Sequence, residues 1–241
     1  MNLFIVKDYE KLSKVAANIV KEGIEKKPNI ILGLATGSTP EGMYKELIRM
    51  HKEEGLDFSK VTTFNLDEYV GIDEKHPNSY HYFMKETLFD HINIDLKNTF
   101  IPDGMVDNPE KYCKEYDKLI EEKGGIDLQM LGIGENGHIA FNEPDETLNL
   151  GTSIVDLTPS TIEANSRFFD SIDQVPKTAI TMGIGSIMKA KKIILLANGK
   201  KKAKVIRELL EGDKITTQLP VSMLLLHPDV TVIIDEEAHN G

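Results

Sequence analysis

Five short, mostly apolar runs recur along this chain: NIILGL (29–34), VTTFNL (61–66), IDLQML (126–131), KIILLA (192–197) and VTVII (230–234). Runs of this length with little polar alternation read as strands buried on both faces. Helical stretches stand between them. Asp8 caps a predicted helix to about Lys26, with Leu12, Val15, Ala16, Ile19, Val20 and Ile24 on one face. Further helices are expected from about Glu41 to Glu53, Ser79 to Phe89, Pro109 to Glu122, Ser186 to Ala190 and Lys200 to Glu211. Leu3–Val6, Phe100–Pro102 and Thr152–Leu157 supply shorter strand candidates. Buried strands alternating with helices predict an α/β sandwich around a mostly parallel sheet. A chain of 241 residues, 40% hydrophobic, without repeats or a Pro/Gly/Ser-rich linker, fits a single domain over 1–241.

In open α/β sheets, ligands bind beyond the C-terminal ends of the strands. The stretch LGIGENGHIAFNEP (131–144) follows such an end. Gly132, Gly134 and Gly137 allow tight turns and close backbone approach. Around them stand Glu135, Asn136, His138, Asn142 and Glu143. Imidazole suits proton transfer near neutral pH, and a nearby carboxylate orients it and favours its charged form. This density of chemistry marks a site rather than a polar turn with a surface histidine.

A second loop, Ala35-Thr36-Gly37-Ser38-Thr39-Pro40, joins a strand to a helix N-terminus. It fits an ordinary βα turn with a hydroxyl cap, or an anion site built from N–H groups, hydroxyls and the helix dipole. It lacks the GK[ST] ending of a P-loop and the GxGxxG of a dinucleotide fold. The loop at 132–137 tilts the balance towards phosphate. Asp67-Glu68 follows the third strand; adjacent acids project differently, so one at most faces a ligand, and a helix N-cap pair is the alternative. Arg167 fits a surface ion pair or a bidentate phosphate contact. Lys200, Lys201 and Lys202 open a helix whose dipole they oppose, which favours an anion nearby. His76, His81 and His91 are isolated, with no metal spacing.

Net charge is −11, and no basic face points to nucleic acid. The single Cys113 excludes an internal disulfide. The N-terminus has no secretory pattern and no run is long enough for a membrane span, so a cytoplasmic setting is expected.

Four segments together carry a resemblance. LGLATGSTP (32–40), FNLDEYVG (64–71), GIGENGHIAFNEP (132–144) and ANSRFFD (164–170) are similar to the glucosamine-6-phosphate deaminase family along nearly the whole chain. The resemblance implies a Rossmann-like, modified doubly wound fold with helices on both faces of a mostly parallel sheet. It implies conversion of D-glucosamine 6-phosphate and water to D-fructose 6-phosphate and ammonia, without cofactor or metal. Asp67 corresponds to the base that moves a proton between C2 and C1, His138 to the acid/base that opens the sugar ring, and Glu143 to the carboxylate that orients His138. Asn136 stands where many members have Asp; it cannot ionise but can orient a ring by hydrogen bonding. Thr36, Gly37, Ser38, Thr39, Arg167 and Lys202 match the phosphate cradle. The implied partner is a small-molecule sugar phosphate, with no nucleic acid or membrane, and the assembly a monomer or small homo-oligomer. Some members are hexamers activated by N-acetylglucosamine 6-phosphate; residues 152–166 here contain no Lys or Arg for a second phosphate, so hyperbolic kinetics are expected. A 6-phosphogluconolactonase-like hydrolase and a non-catalytic sugar-phosphate-sensing module are the alternatives.

Overall fold

A computed structural model describes residues 1–241. Its strands, in chain order, are β1 (Asn2–Val6), β2 (Ile31–Leu34), β3 (Thr62–Asn65), β4 (Asp67–Tyr69), β5 (Thr99–Phe100), β6 (Leu128–Leu131), β7 (Ser153–Asp156), β8 (Thr178–Thr181), β9 (Lys192–Ala197) and β10 (Val230–Asp235). The helices are α1 (Tyr9–Lys26), α2 (Ser38–Glu54), α3 (Tyr80–Thr87), α4 (Pro109–Glu122), α5 (Pro159–Asn165), α6 (Ile184–Met188), α7 (Ala203–Glu211) and α8 (Glu236–Asn240). Seven strands form a parallel sheet in the order β1-β10-β9-β6-β2-β3-β5, which is the α/β fold expected. A separate three-stranded sheet, β4-β8-β7, is antiparallel.

The continuous apolar runs have a direct cause in the packing. Alternate residues of one strand enter opposite cores. Ile193 and Leu195 pack with Tyr116 and Ile120 of α4 and Val205, Ile206 and Leu209 of α7. Ile194 and Leu196 pack with Leu12, Ala16 and Val20 of α1 and Met43, Tyr44 and Leu47 of α2. Truncating one of these side chains to alanine costs about 2–5 kcal/mol. Local signals set the helix ends: the Asp8 carboxylate accepts from the Lys11 N–H at 2.9 Å, and Asn108 caps α4 in the same way.

Three boundaries differ from the sequence expectation. α2 begins at Ser38, not Glu41, because Gly37 serves as its N-cap at φ 92°, a backbone region open to glycine. The three lysines form a 3₁₀ turn, Lys200–Lys202, and α7 proper starts after them. Asp67 and Glu68 are not a helix N-cap pair; they belong to β4.

Candidate active site

The strand order fixes where a ligand can sit. From β2 the chain winds outward through β3 to β5; from β6 it winds the opposite way through β9 to β10. The connections therefore part at the C-terminal ends of β2 and β6, which are hydrogen-bonded neighbours. Such a topological switch point is the ligand crevice of open α/β sheets. The two loops singled out by sequence, after β2 and after β6, are the two that border it.

The loop after β2 has the makings of an anion cradle. Gly37 caps α2 without any side-chain hydrogen bond, so the hydroxyl-cap reading does not hold. Ser38 and Thr39 lie in the first turn, where N–H groups have no partner within the helix. Thr36 and Gly37 are half-buried at its mouth. The Thr39 hydroxyl donates to Asn198 Oδ1 at 2.9 Å, tying this loop to the one after β9. There, both oxygens of Asp235 accept the Gly199 N–H, at 3.0 and 3.1 Å, and fix the turn that presents the lysines. Lys201 pairs with Glu135 at 3.9 Å. Lys202 makes no ion pair. Burial, then the Arg167 and Lys201 charges, hold its ammonium below the ordinary range against the attraction of Glu135. Arg167 follows α5 in a 3₁₀ turn, exposed, with its guanidinium 4.7 Å from the centre of the Phe168 ring. Arg167 has no salt-bridge partner, so the ion-pair reading of this residue fails. Two cations that repel each other form an environment that an anion would relieve.

The loop after β6 turns back on itself. Ile139 and Asn142 form an isolated bridge, and Ala140 holds φ at 51°, rare for a residue with a side chain. The fold-back brings Glu143 to His138, with Oε2 3.2 Å from Nδ1. A carboxylate can only accept here, so Nδ1 carries a proton, and Nε2 accepts one in the neutral ring and donates one from the imidazolium. Glu143 Oε2 also accepts from Asn136 Nδ2 at 2.6 Å, and Oε1 accepts from the Thr161 hydroxyl. Burial opposes the Glu143 charge, but the bonds from His138, Thr161 and Asn136 and the His138 charge hold its pKa down to about 2. Asn136 therefore does not orient the ring directly, as expected from sequence. Its amide orients the carboxylate, and its carbonyl oxygen accepts the His138 backbone N–H at 3.3 Å.

Asp67 and Glu68 divide as their opposite directions require. Glu68 accepts the N–H groups of Tyr69, Tyr80 and His81 at 2.9, 2.8 and 3.1 Å, which caps α3 from another strand. Burial nevertheless pushes it up to about 7. Asp67 is 7% exposed, and no protein group bonds its carboxylate. Burial first, and then the Glu68 charge, push it up to about 8. β8 joins this acid to the histidine loop: Asp67 pairs with Thr181, whose hydroxyl accepts the Phe141 N–H at 3.0 Å, and Asn142 donates to the Met182 carbonyl at 2.9 Å. Asp67, His138 and Glu143 are thus brought to one rim by a shared strand.

The remaining histidines serve local structure. His76 Nδ1 accepts the Asn78 N–H, His81 Nε2 meets the Pro102 carbonyl and His91 Nε2 the Glu86 carbonyl. No group of three or more His, Cys, Asp or Glu side chains is placed to hold a metal ion. Thr161, Asn198 and the capping role of Glu68 were not read from sequence. Only the strand-end position of Asn198-Gly199, matching the other site loops, could have pointed to one of them.

Comparison with known proteins gives this geometry its context. The family described as glucosamine-6-phosphate isomerases/6-phosphogluconolactonase matches residues 8–233. A glucosamine-6-phosphate deaminase of Clostridium perfringens (strain SM101 / Type A) is 60% identical over 238 residues, covering 99% of this chain and 98% of that protein. One from Thermoanaerobacter pseudethanolicus is 58% identical, covering 99% and 94%. Among solved structures, a monomeric glucosamine-6-phosphate deaminase superposes with a TM-score of 0.97 at 49% identity, over 99% of this chain and 98% of that one. A 6-phosphogluconolactonase from Leishmania guyanensis reaches 0.75 at 21% identity, covering 100% and 98%, a likeness of fold alone. With the match spanning the strands, both site loops and the segment bearing Arg167, the chain belongs to the family of glucosamine-6-phosphate isomerases and 6-phosphogluconolactonases.

Proposed function

We propose that this protein converts D-glucosamine 6-phosphate and water to D-fructose 6-phosphate and ammonia. The observation that carries the reading is Asp67, a buried carboxylate with no hydrogen bond from the protein, pushed up to about 8 beside the histidine loop. Moving a proton between adjacent carbons calls for a base matched to the working pH. Hydrolysing a lactone does not require one there. The relatives at 58–60% identity are deaminases, which supports the same choice over the lactonase.

In this reading the sugar's phosphate seats on Thr36, Gly37, Ser38 and Thr39, with Arg167 and Lys202 supplying charge. Binding at that distance positions C1 and C2. His138, steadied at Nδ1 by Glu143, gives a proton through Nε2 to the ring oxygen and opens the pyranose. Asn136 and Thr161 act by holding Glu143. Asp67 takes the proton from C2 while a proton of the substrate's ammonium group passes to O1, leaving an enolamine, and Asp67 then delivers its proton to C1. Water adds to the resulting C2 iminium, and nitrogen departs as ammonia with the released proton. Every step uses side chains, substrate and water.

The protein acts as a monomer or small homo-oligomer, a reading supported by the monomeric deaminase at 49% identity. No helix is long and apolar enough to cross a membrane. The test is direct: ammonia release from glucosamine 6-phosphate against hydrolysis of 6-phosphogluconolactone. Lactone hydrolysis without ammonia release would reverse the assignment.

A further inference from the structure

Tyr9 stands in the first turn of α1, outside every site loop, yet its hydroxyl reaches the start of α2. The Gly42 N–H donates to the Tyr9 oxygen at 2.8 Å, and the Tyr9 O–H donates to the Ser38 carbonyl at 2.7 Å. Within the continuous helix α2 these two groups are i, i+4 partners, and a phenol from another helix engages both of them. The approach depends on the absence of a side chain at Gly42: a Cβ there would lie 2.1 Å from Ser13 Oγ and 3.0 Å from Tyr9 Cζ. Ser13 completes the contact, its hydroxyl donating to the Tyr9 carbonyl at 2.8 Å. Burial, and more weakly Glu41, raise the Tyr9 pKa against the bonds from Gly42 and Ser13, so the hydroxyl remains a donor.

We infer that Tyr9 is a positioning residue for the phosphate site, tethering the first turn of α2 to α1 and with it the direction of the Ser38 and Thr39 N–H groups. The inference rests on the phosphate role proposed above for this loop. The loop is then held from two sides, by Tyr9 of α1 and by Asn198 through Thr39. Without the phenol oxygen the first turn of α2 loses its tether to α1, and its outer N–H groups are no longer held towards a bound dianion. The other cradle groups and the Arg167 and Lys202 charges still seat the dianion and place the sugar, so the loss of one hydrogen bond falls on binding.

The test is Tyr9→Phe, which keeps the ring and removes the hydroxyl. The KM for glucosamine 6-phosphate and the inhibition constant of inorganic phosphate should both rise about fivefold, as for one net hydrogen bond, with kcat within twofold. Val20→Ala, which loosens the packing of α1 on α2 without touching the phenol, should leave both constants unchanged. Thermal melts of each variant establish that it is folded. An unchanged phosphate constant in Tyr9→Phe overturns the inference, as does a fall in kcat in place of the rise in KM. Equal weakening in Val20→Ala also overturns it, because loosened helix packing then suffices. A wild-type enzyme that deaminates the sugar phosphate but ignores inorganic phosphate removes the reading of the loop itself.

Discussion

Replacing Asp67 with asparagine should make the protein more stable at alkaline pH while nearly abolishing turnover. The carboxyl has an ordinary pKa of 3.8 and is pushed up to about 8 in the fold, first by burial and then by the Glu68 charge. Below pH 4 the group is protonated in folded and unfolded chains alike, so it contributes no pH-dependent difference. Between about 4 and 8 the unfolded chain releases the proton and the folded one keeps it. The unfolded state then binds fewer protons, and stability falls as pH rises. Above 8 both states are ionised and the loss is complete. A shift of roughly four pKa units corresponds to a ceiling on the order of 6 kcal/mol. Local rearrangement that admits water to the carboxylate reduces this, to about 2–3 kcal/mol at an effective dielectric nearer 20. For a chain of this size, that is roughly 5–10 °C in melting temperature. Asparagine is neutral throughout and nearly isosteric, so the assay is a pair of melting curves from pH 4.5 to 9. The gap between variant and wild type should widen with pH and level off above about 8. Any pH-independent packing effect of the amide cancels in that comparison, and Glu68 is common to both proteins. A gap that stays constant across the range would refute the reasoning, whatever its size. Turnover should fall by a factor on the order of 10²–10⁴, since the amide cannot accept the proton from C2.

Other outcomes follow from the same site. Arg167→Ala should raise the KM for glucosamine 6-phosphate roughly tenfold to a hundredfold, as loss of a charge-assisted contact does. Unphosphorylated glucosamine should react very poorly, and equal reactivity of the two sugars in an ammonia-release assay would remove the cradle. Thr161→Val deletes one of the three side-chain donors to Glu143 and should move the acid limb of the kcat/KM profile up by roughly one pH unit. A superimposable pH profile would show that Thr161 is only structural. Substrate curves should be hyperbolic and unaffected by N-acetylglucosamine 6-phosphate, because residues 152–166 offer no cation for a second phosphate. Sigmoidal curves relieved by that compound would contradict this, and light scattering that reports a hexamer would separately contradict the small assembly.

The main sheet was legible because Ile193 to Leu196 send side chains into two cores and so cannot alternate with polar residues. Asp67 stood out by its place after the third apolar run, and His138 and Glu143 by the density of polar groups in the loop after β6. Of the small antiparallel sheet only β7 was legible, as the strand candidate Thr152–Leu157. Asp67–Tyr69 is only three residues long, and its partner Thr178–Thr181 lies far along the chain. No local pattern could show that the Glu68 carboxylate would cap a helix twelve residues on. The same holds for Thr161, whose contact with Glu143 exists only once α5 is docked. For Asn136 the chemistry was right and the partner wrong. Sequence showed an amide near an imidazole, while the fold-back at Ala140 placed a carboxylate between them.

The edge of the sheet constrains how the molecule can be made. β1 pairs with β10 alone, Asn2 beside Thr231 through Val6 beside Asp235. On a ribosome, residues 2–6 therefore have no strand to join until nearly the whole chain has been synthesised. At typical elongation rates this is a wait on the order of 10–45 seconds. Leu3, Phe4 and Ile5 remain more than 40% exposed even after pairing, so the waiting segment carries apolar surface throughout. Early translation thus leaves a sticky tail that only the completion of β10 can dock, and a stall before Val230 would release a chain unable to close its own sheet.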